Sequence, residues 1–272
     1  MIDPRLLSVE IEVNRQVRAY KDLAITVSGQ KFASSSQAEA TITIANLARD
    51  VVDQILTDTS PFNADPNPKI IRVFAGRVSY GTDLLYEGNI FRTEISAPPD
   101  QVLTIKALAN NISKSKIAAL SMPTESTVSE IAQKVAGLIG CGLQFEATDK
   151  TVLNYQFTGA VLKHVDKIET LGDYSAFIDG GILVVKDMRA ALKGVQAQIT
   201  GENIIGMPTL TDQGLKITVL YDPRFKVGGV AKIVGSRYKR ANGLWTIFKL
   251  NFNLTNRAIP FYLTIEALPH GK

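Results

Sequence analysis

The sequence predicts an α+β chain that is mainly β, with two β domains flanking a small α+β unit. Three observations carry that class. Apolar and polar residues alternate along residues 1–108, which is the period of a half-buried strand. Near Thr127 the apolar period changes from two to that of a helix. After Lys186 short strands return, separated by Gly, Pro and Asn. The expected boundaries are 1–108, 109–187 and 188–272. A 272-residue chain has room for two or three units of about 100–150 residues.

In the first unit Leu7, Val9, Ile11 and Val13 alternate with polar neighbours, as do Leu23, Ile25 and Val27, then Ala40, Ile42 and Ile44. Asn46 or Ala48 begins a short helix through Val51, Val52, Ile55 and Leu56, which Pro61, Pro66 and Pro68 end in a loop. Strands resume at Ile71, Val73 and Ala75, turn at Gly81, and continue over Tyr86–Ile95 and Leu103–Ala107. Gly88 within a strand predicts a bulge or a close backbone approach.

In the middle unit Thr127-Val-Ser-Glu130 is a capping box, in which hydroxyl and carboxylate satisfy free backbone donors at a helix start. Val128, Ile131, Ala132, Val135, Leu138 and Ile139 then share one helical stripe, stopped by Gly140 and Gly142. Leu143, Phe145 and Ala147 predict a strand. A second short helix is expected around Val165, Ile168 and Leu171, stopped by Gly172. Asp179-Gly180 predicts a hairpin between Phe177-Ile178 and Ile182–Val185.

The third unit runs from Asn203-Ile-Ile-Gly-Met-Pro through Leu215–Tyr221 and Asp222-Pro-Arg224 to Val230–Val234, Gly243–Phe248 and Phe261–Ala267. Short strands with such punctuation suit a small twisted barrel or sandwich.

Composition is ordinary for a globular chain, at 45% hydrophobic and 21% charged residues. No apolar run approaches the ~20 residues of a membrane-spanning helix. Met1-Ile-Asp-Pro-Arg5 lacks the charged start and apolar block of a secretory signal. The lone Cys141 excludes an internal disulfide framework, and synthesis in a reducing cytoplasm is the expectation. Charge is uneven. Residues 188–272 carry twelve Lys and Arg against four Asp and Glu, within totals of 30 and 26. That excess points to an acidic partner surface or a polyanion, unless it is simply solvated. Its expected centre is Arg224, Lys226, Lys232, Arg237, Lys239 and Arg240. A two-faced strand over Gly229–Lys239 would display Lys232 while Val230, Ala231 and Ile233 compete for the core.

Bond chemistry finds little support. Neither a Walker phosphate loop nor a dinucleotide-binding glycine pattern is present. Gly137-Leu-Ile-Gly140-Cys-Gly142 closes a helix and so offers the wrong end to phosphate. His164 and His270 have no metal-ligand spacing. His164-Val-Asp166 lacks a nucleophile motif, and an exposed histidine on a short helix is expected. Cys141 reads as a small buried filler at a helix end more readily than as a reactive thiol. Glu146, Asp149, Asp166 and Asp173 are the carboxylates that a glycoside-cleaving cleft would draw on. Trp245, Phe248, Phe252, Phe261 and Tyr262, interleaved with Arg240, Lys249 and Arg257, fit a nucleic-acid stacking platform. A β core with cationic stems at its rim fits them better. No catalytic residue, cofactor or metal is therefore expected.

Several segments together resemble the baseplate hub proteins of contractile-tailed phages, of the late-control type. They are Ala40-Thr-Ile-Thr-Ile-Ala-Asn-Leu47, Val73-Phe-Ala-Gly76, Leu85-Tyr-Glu-Gly88-Asn-Ile90, the Gly206-Met-Pro208 strand, Asp222-Pro-Arg224 and Asn242-Gly-Leu-Trp245. The resemblance covers most of the chain as β, α+β, β. It implies two tube-like β-barrel or sandwich domains around an inserted domain. It also implies a homotrimeric ring that joins a hexameric tail tube to a trimeric spike. DNA would pass through the centre unread, and the protein would reside in the virion baseplate after assembly in the host cytoplasm. The rival readings are a monomeric polyanion- or carbohydrate-binding β module and a tail-associated hydrolase.

Overall fold

The computed structural model describes residues 3–13, 16–60, 62, 69–111 and 116–271. Pro61, Pro66 and Pro68 lie outside the described residues, as do Met1 and Lys272.

The N-terminal part holds β1 (Arg5–Val13), β2 (Gln16–Tyr20), β3 (Ile25–Phe32), β4 (Glu39–Ala45), α1 (Arg49–Asp58), β5 (Ile70–Arg77), β6 (Gly81–Ile95) and β7 (Val102–Leu108). The middle holds β8 (Ile117–Ser121), β9 (Glu125–Thr127), α2 (Val128–Ile139), β10 (Gly142–Glu146), β11 (Thr151–Leu153), β12 (Gln156–Ala160), α3 (Lys163–Glu169), β13 (Tyr174–Asp179) and β14 (Ile182–Asp187). The C-terminal part holds β15 (Gln196–Ile199), β16 (Ile204–Thr211), β17 (Gly214–Leu220), β18 (Val230–Ile233), a 3-10 turn (Lys239–Ala241), β19 (Gly243–Thr255) and β20 (Phe261–Pro269). The protein is mainly β with a minority of helix, as the sequence predicts.

Strands from the two chain ends form one 13-stranded sheet in the order β16-β17-β20-β19-β3-β4-β7-β6-β5-β1-β2, with β18 also on β19 and β15 on β18. The join is antiparallel pairing of β19 with β3, from Lys249 opposite Phe32 to Thr255 opposite Thr26. Alternation does its expected work on each strand. Ile25 and Val27, Ile42 and Ile44, Leu103 and Ile105, and Phe252 and Leu254 are buried on one face. Their apolar cluster continues through Val9, Ile71, Ile217 and Ile265, so both ends of the chain share a core. Gly88 marks a close approach: a Cβ there would meet the Tyr86 hydroxyl oxygen at 2.4 Å.

A second apolar cluster belongs to the insert, where Val128, Ile131, Val135, Val165 and Ile168 pack on Ala176, Leu183 and Val185. The Thr127 capping box forms: Thr127 Oγ1 accepts from Glu130 N at 3.3 Å, and Glu130 Oε2 accepts from Thr127 N at 3.0 Å. Gly140 ends α2 at φ 84°, the left-handed value that favours glycine. The three-stranded sheet β10-β14-β13 lies beneath, with β10 parallel to β14. The hairpin turn is Gly180-Gly181, one residue later than Asp179-Gly180, because Asp179 still pairs with Ile182. The hairpin β13–β14 is buried on both faces. Ala176, Leu183 and Val185 serve the insert core, whereas Phe177 and Val184 enter the sheet core.

Polar contacts fix this seam. Lys31 on β3 pairs with Asp179. Ser175 Oγ donates to Ala33 O at 2.6 Å. Glu169 Oε1 accepts from Ser35 N and Ala176 N. Lys186 is buried, and its Nζ donates to the carbonyls of Asp187, Met188 and Ala190 at 3.2, 3.2 and 2.9 Å. Burial pushes its pKa down to about 8, with nearby Asp187 pulling the other way.

Two expectations need correction. His164 is not exposed: it is fully buried on α3, edge-on to Phe157 with ring centres 4.7 Å apart. Its Nε2 lies 3.2 Å from Ala118 O, and Nδ1 has no hydrogen-bond partner among the described residues. The antiparallel pair β8–β12, whose strands lie far apart in sequence and whose polar–apolar pattern is weak, lays both Ala118 and Phe157 against the ring. The strand expected over Gly229–Lys239 spans only Val230–Ile233, and the chain then turns.

Candidate functional site

Two surfaces of the second β part and its sheet are candidates. The first holds the predicted cations, which the structure divides into two sets. Arg224 Nη2 lies 2.5 Å from Asp222 Oδ2, and Lys226 Nζ lies 3.3 Å from Asp83 Oδ2, so these two cations are already paired. Lys232, Arg237, Lys239 and Arg240 are exposed and have no ion pair among the described residues. Ala231 and Ile233 turn into the core and leave Lys232 outside. Arg237, Lys239 and Arg240 sit on the bend that leads into β19. Asn242 shapes that bend: its Oδ1 accepts from Ser236 N at 2.9 Å. Trp245 Nε1 donates to Ala241 O at 2.8 Å and anchors the far side.

The second surface is the face of the large sheet turned away from the core, which sequence reasoning missed. Register places Thr26, Ser28 and Gln30 of β3 beside Thr43, Thr41 and Glu39 of β4. On the other side they meet Thr255, Asn253 and Asn251 of β19. The row continues through Tyr262 and Thr264 of β20 to Thr218 of β17, with the Thr218 and Thr264 hydroxyls 3.1 Å apart. Many charges on this face are paired locally, but Lys106 of β7, opposite Thr41, has no ion pair among the described residues. Arg72 holds Glu12 at 2.9 Å and Glu87 at 2.6 Å, and Arg92 pairs with Glu94. Glu266 lies between Lys249 at 3.8 Å and Lys216 at 4.0 Å. The signal was present in the sequence: the polar members of the alternations on β3, β4, β19 and β20 are mostly Thr, Ser, Asn and Gln.

The other sequence candidates are occupied structurally. Asp149 accepts from Ser129 N and Oγ at the start of α2, Asp166 pairs with Lys163, and Glu146 Oε2 accepts from Lys193 N. No group of His, Cys, Asp and Glu among the described residues could hold a metal. Cys141 is half-buried with Sγ 3.7 Å from Ala136 O, and burial pushes its thiol pKa up, away from a reactive thiolate. Trp245, Phe252 and Phe261 are buried, so the aromatic run builds core and not a stacking platform. No helix is long and apolar enough to cross a membrane among the described residues.

The sequence matches the profile of the family described as baseplate hub gp41 over residues 6–267. The chain belongs to that family. Solved structures of tail proteins share its fold at low identity. The 43 kDa tail protein of prophage MuSo2 from Shewanella oneidensis superposes with a TM-score of 0.64 at 7% identity, covering 96% of each chain. A tail protein from Neisseria meningitidis MC58 gives 0.66 at 10% identity, again over 96% of each chain. The E. coli c3393 protein gives 0.63 at 12% identity, over 96% of this chain and 77% of that one. It is described as a type VI secretion component structurally similar to the T4 tail proteins gp27 and gp5. No curated protein matches the sequence significantly.

Proposed function

We propose that this baseplate hub protein forms a homotrimeric ring that joins a hexameric tail tube to a trimeric spike, with DNA passing through its centre. The ring would sit in the virion baseplate after assembly in the host cytoplasm. Residues 1–108 and 188–272 would act as two tube-like domains, giving six similar positions per ring, with residues 109–187 on the outside or at one end. One observation carries the reading: a broad sheet has one face in the core and the other uncovered, hydroxyl- and amide-rich and nearly neutral. Such a face suits the wall of a conduit for a polyanion. Fixed cations would hold phosphates and make passage salt-dependent, whereas paired charges present no such foothold. Among the described residues the sheet's outer strands β2 and β16 each pair on one side only, at opposite ends of the strand order, which suits head-to-tail closure through unlike surfaces.

The four unpaired cations near β18 and the following bend fit docking onto an acidic neighbouring subunit, and Arg224 and Lys226 would brace the adjoining loop. Sedimentation equilibrium of the purified chain, alone and with tube and spike proteins, tests the ring. Three chain masses are expected in at least the mixed sample. A chain that stays monomeric with both partners present overturns the proposal. If that monomer also retains heparin through Lys232, Arg237, Lys239 and Arg240, the polyanion-binding module becomes the better reading.

A further inference from the structure

A cavity of about 530 Å³ opens where the insert meets the last strands of the sheet. Its apolar walls are Tyr174 of β13, Met188 just past β14, Ile247 and Phe248 of β19, and Leu268 of β20. The polar groups on its floor are already engaged. Ser175 bonds to Ala33 O, Glu169 accepts two backbone N–H groups, and Lys186 is spent on three carbonyls. Thr246 Oγ1 lies 2.9 Å from His270 Nδ1. What remains for an occupant is mostly apolar wall, plus the Ser34 hydroxyl, which only accepts a long contact from Ser36 N, and Arg189, which has no ion pair among the described residues.

The rim is unusually apolar for free surface. Met188 is 52% exposed, Leu244 44% and Leu268 41%. Register puts Leu268 opposite Thr246, and Lys232 opposite Leu244 two residues along the same strand, so all four share one face. An apolar strip with a cavity in it therefore runs between two cations without ion pairs among the described residues, Arg189 just past β14 and Lys232 on β18. The cavity is within the range of about 300–1,000 Å³ that encloses a drug-sized body, so it has room for a pair of large side chains. With Ser34 the one lining hydroxyl whose proton has no partner among the described residues, selectivity comes mainly from apolar bulk within and negative charge at the rim.

We propose that this cavity seats an apolar anchor of a partner protein: a short segment with large aliphatic or aromatic side chains flanked by Asp or Glu. The segment's side chains fill the space between Met188, Phe248 and Leu268. Its carboxylates meet Arg189 and Lys232. The assignment rests on the hub reading only for the partner's being a neighbouring tail subunit; the recognition chemistry rests on the cavity.

Fluorescence anisotropy with three labelled hexapeptides tests it on the full chain. The probes are Glu-Asp-Phe-Leu-Glu-Asp, its basic counterpart Lys-Arg-Phe-Leu-Lys-Arg, and the apolar-deleted Glu-Asp-Ser-Ser-Glu-Asp. The first is expected to bind saturably at one site and to weaken as salt rises from about 0.05 to 0.5 M. Arg189→Glu and Met188→Asp, both at exposed positions, are each expected to weaken it by about tenfold or more. Absent or equal binding of all three probes, or unchanged affinity in both variants, overturns the proposal. So does a fatty acid retained in native mass spectrometry, which makes the cavity a lipid site. Self-association that Met188→Asp abolishes overturns it too, by making the occupant a second copy. The same variants separate this idea from the ring. Trimers without peptide binding sink the docking segment alone, and peptide binding by a chain that never trimerises sinks the ring alone.

Discussion

The large sheet and the insert bury their apolar residues in opposite ways. The sheet core is assembled from distant sequence: Phe252 packs over Gly29, and the Tyr86 ring lies 6.1 Å from that of Phe252. The insert core is assembled from residues 120–185, chiefly through a capped helix, a second short helix and a hairpin. One hairpin belongs to both, because alternate side chains of β13 and β14 point into different cores. The sheet should therefore be cooperative across the whole chain, whereas the insert should be able to loosen locally.

Truncating one large side chain in each core tests that contrast most severely. Phe252→Ala is expected to cost about 3–5 kcal/mol, and Ile131→Ala about 2–5 kcal/mol. Their sizes overlap, but their reach should not. Hydrogen exchange should speed up in β3, β4, β19 and β20 together for Phe252→Ala, and only in α2, α3 and β10 for Ile131→Ala. If Ile131→Ala deprotects β3 and β19 equally, the two cores form one cooperative unit and the contrast fails.

Lys186 probes the seam by pH. Its folded pKa of about 8 lies below the ordinary value of 10.5, so between those values the unfolded chain binds more protons. Stability from this group should therefore rise with pH across that interval, by at most about 1.4 kcal/mol per pH unit. Below pH 8 the buried cation costs the fold throughout. Lys186→Met lacks the titrating group while retaining the other ionisable residues. The stability of the wild type relative to Lys186→Met should climb from pH 8 to 9.5 in urea titrations. A flat difference means that the three carbonyl contacts fully compensate burial of the ammonium.

A smaller effect is confined to the insert. Thr127→Ala removes half of the capping box and should cost about 1 kcal/mol. Asp149, which accepts from Ser129 N at 3.0 Å, still caps the same turn and keeps the loss modest. A change in β19 exchange rates in this variant would contradict the local character assigned to the insert.

The same contrast explains what the sequence could reveal. The insert's signals are local: Thr127, Glu130, the stripe from Val128 to Ile139, and Gly140 all act within a few residues of one another. They were legible for that reason. On the sheet, alternation tells which face of β3 or β19 is buried but not which strand lies beside it. The pairing of Asn251 with Gln30 across more than two hundred residues has no local signature. The burial of His164 has no local signature for a related reason, since the two strands that cover it are short, distant in sequence and low in apolar contrast. The cations near β18 were legible as exposed. Their separation from Lys226, however, depends on Asp83, a carboxylate far away in the chain, whereas Arg224 pairs with its neighbour Asp222.

The least destabilising change should have the most specific consequence. Reversing Arg237, Lys239 and Arg240 to Glu alters three exposed side chains on a bend whose shape is held by other groups. Asn242 Nδ2 donates to Ser236 O and Lys239 O, each at 3.3 Å, and the Trp245 indole donates to Ala241 O. None of these bonds uses the cationic side chains, so stability should move by no more than about 0.5 kcal/mol. Arg224 and Lys226, already paired with Asp222 and Asp83, provide the control: reversing them breaks intramolecular ion pairs while leaving the bend untouched. Docking through free cations predicts that the triple reversal weakens association with acidic partner subunits, more at low salt than at high, while the control pair has a smaller effect. Co-sedimentation with tube and spike proteins at two ionic strengths measures both. Equal losses for the two sets would mean that net charge, and not this bend, governs association. Normal assembly of the triple variant into infectious particles would mean that the bend is solvated surface only.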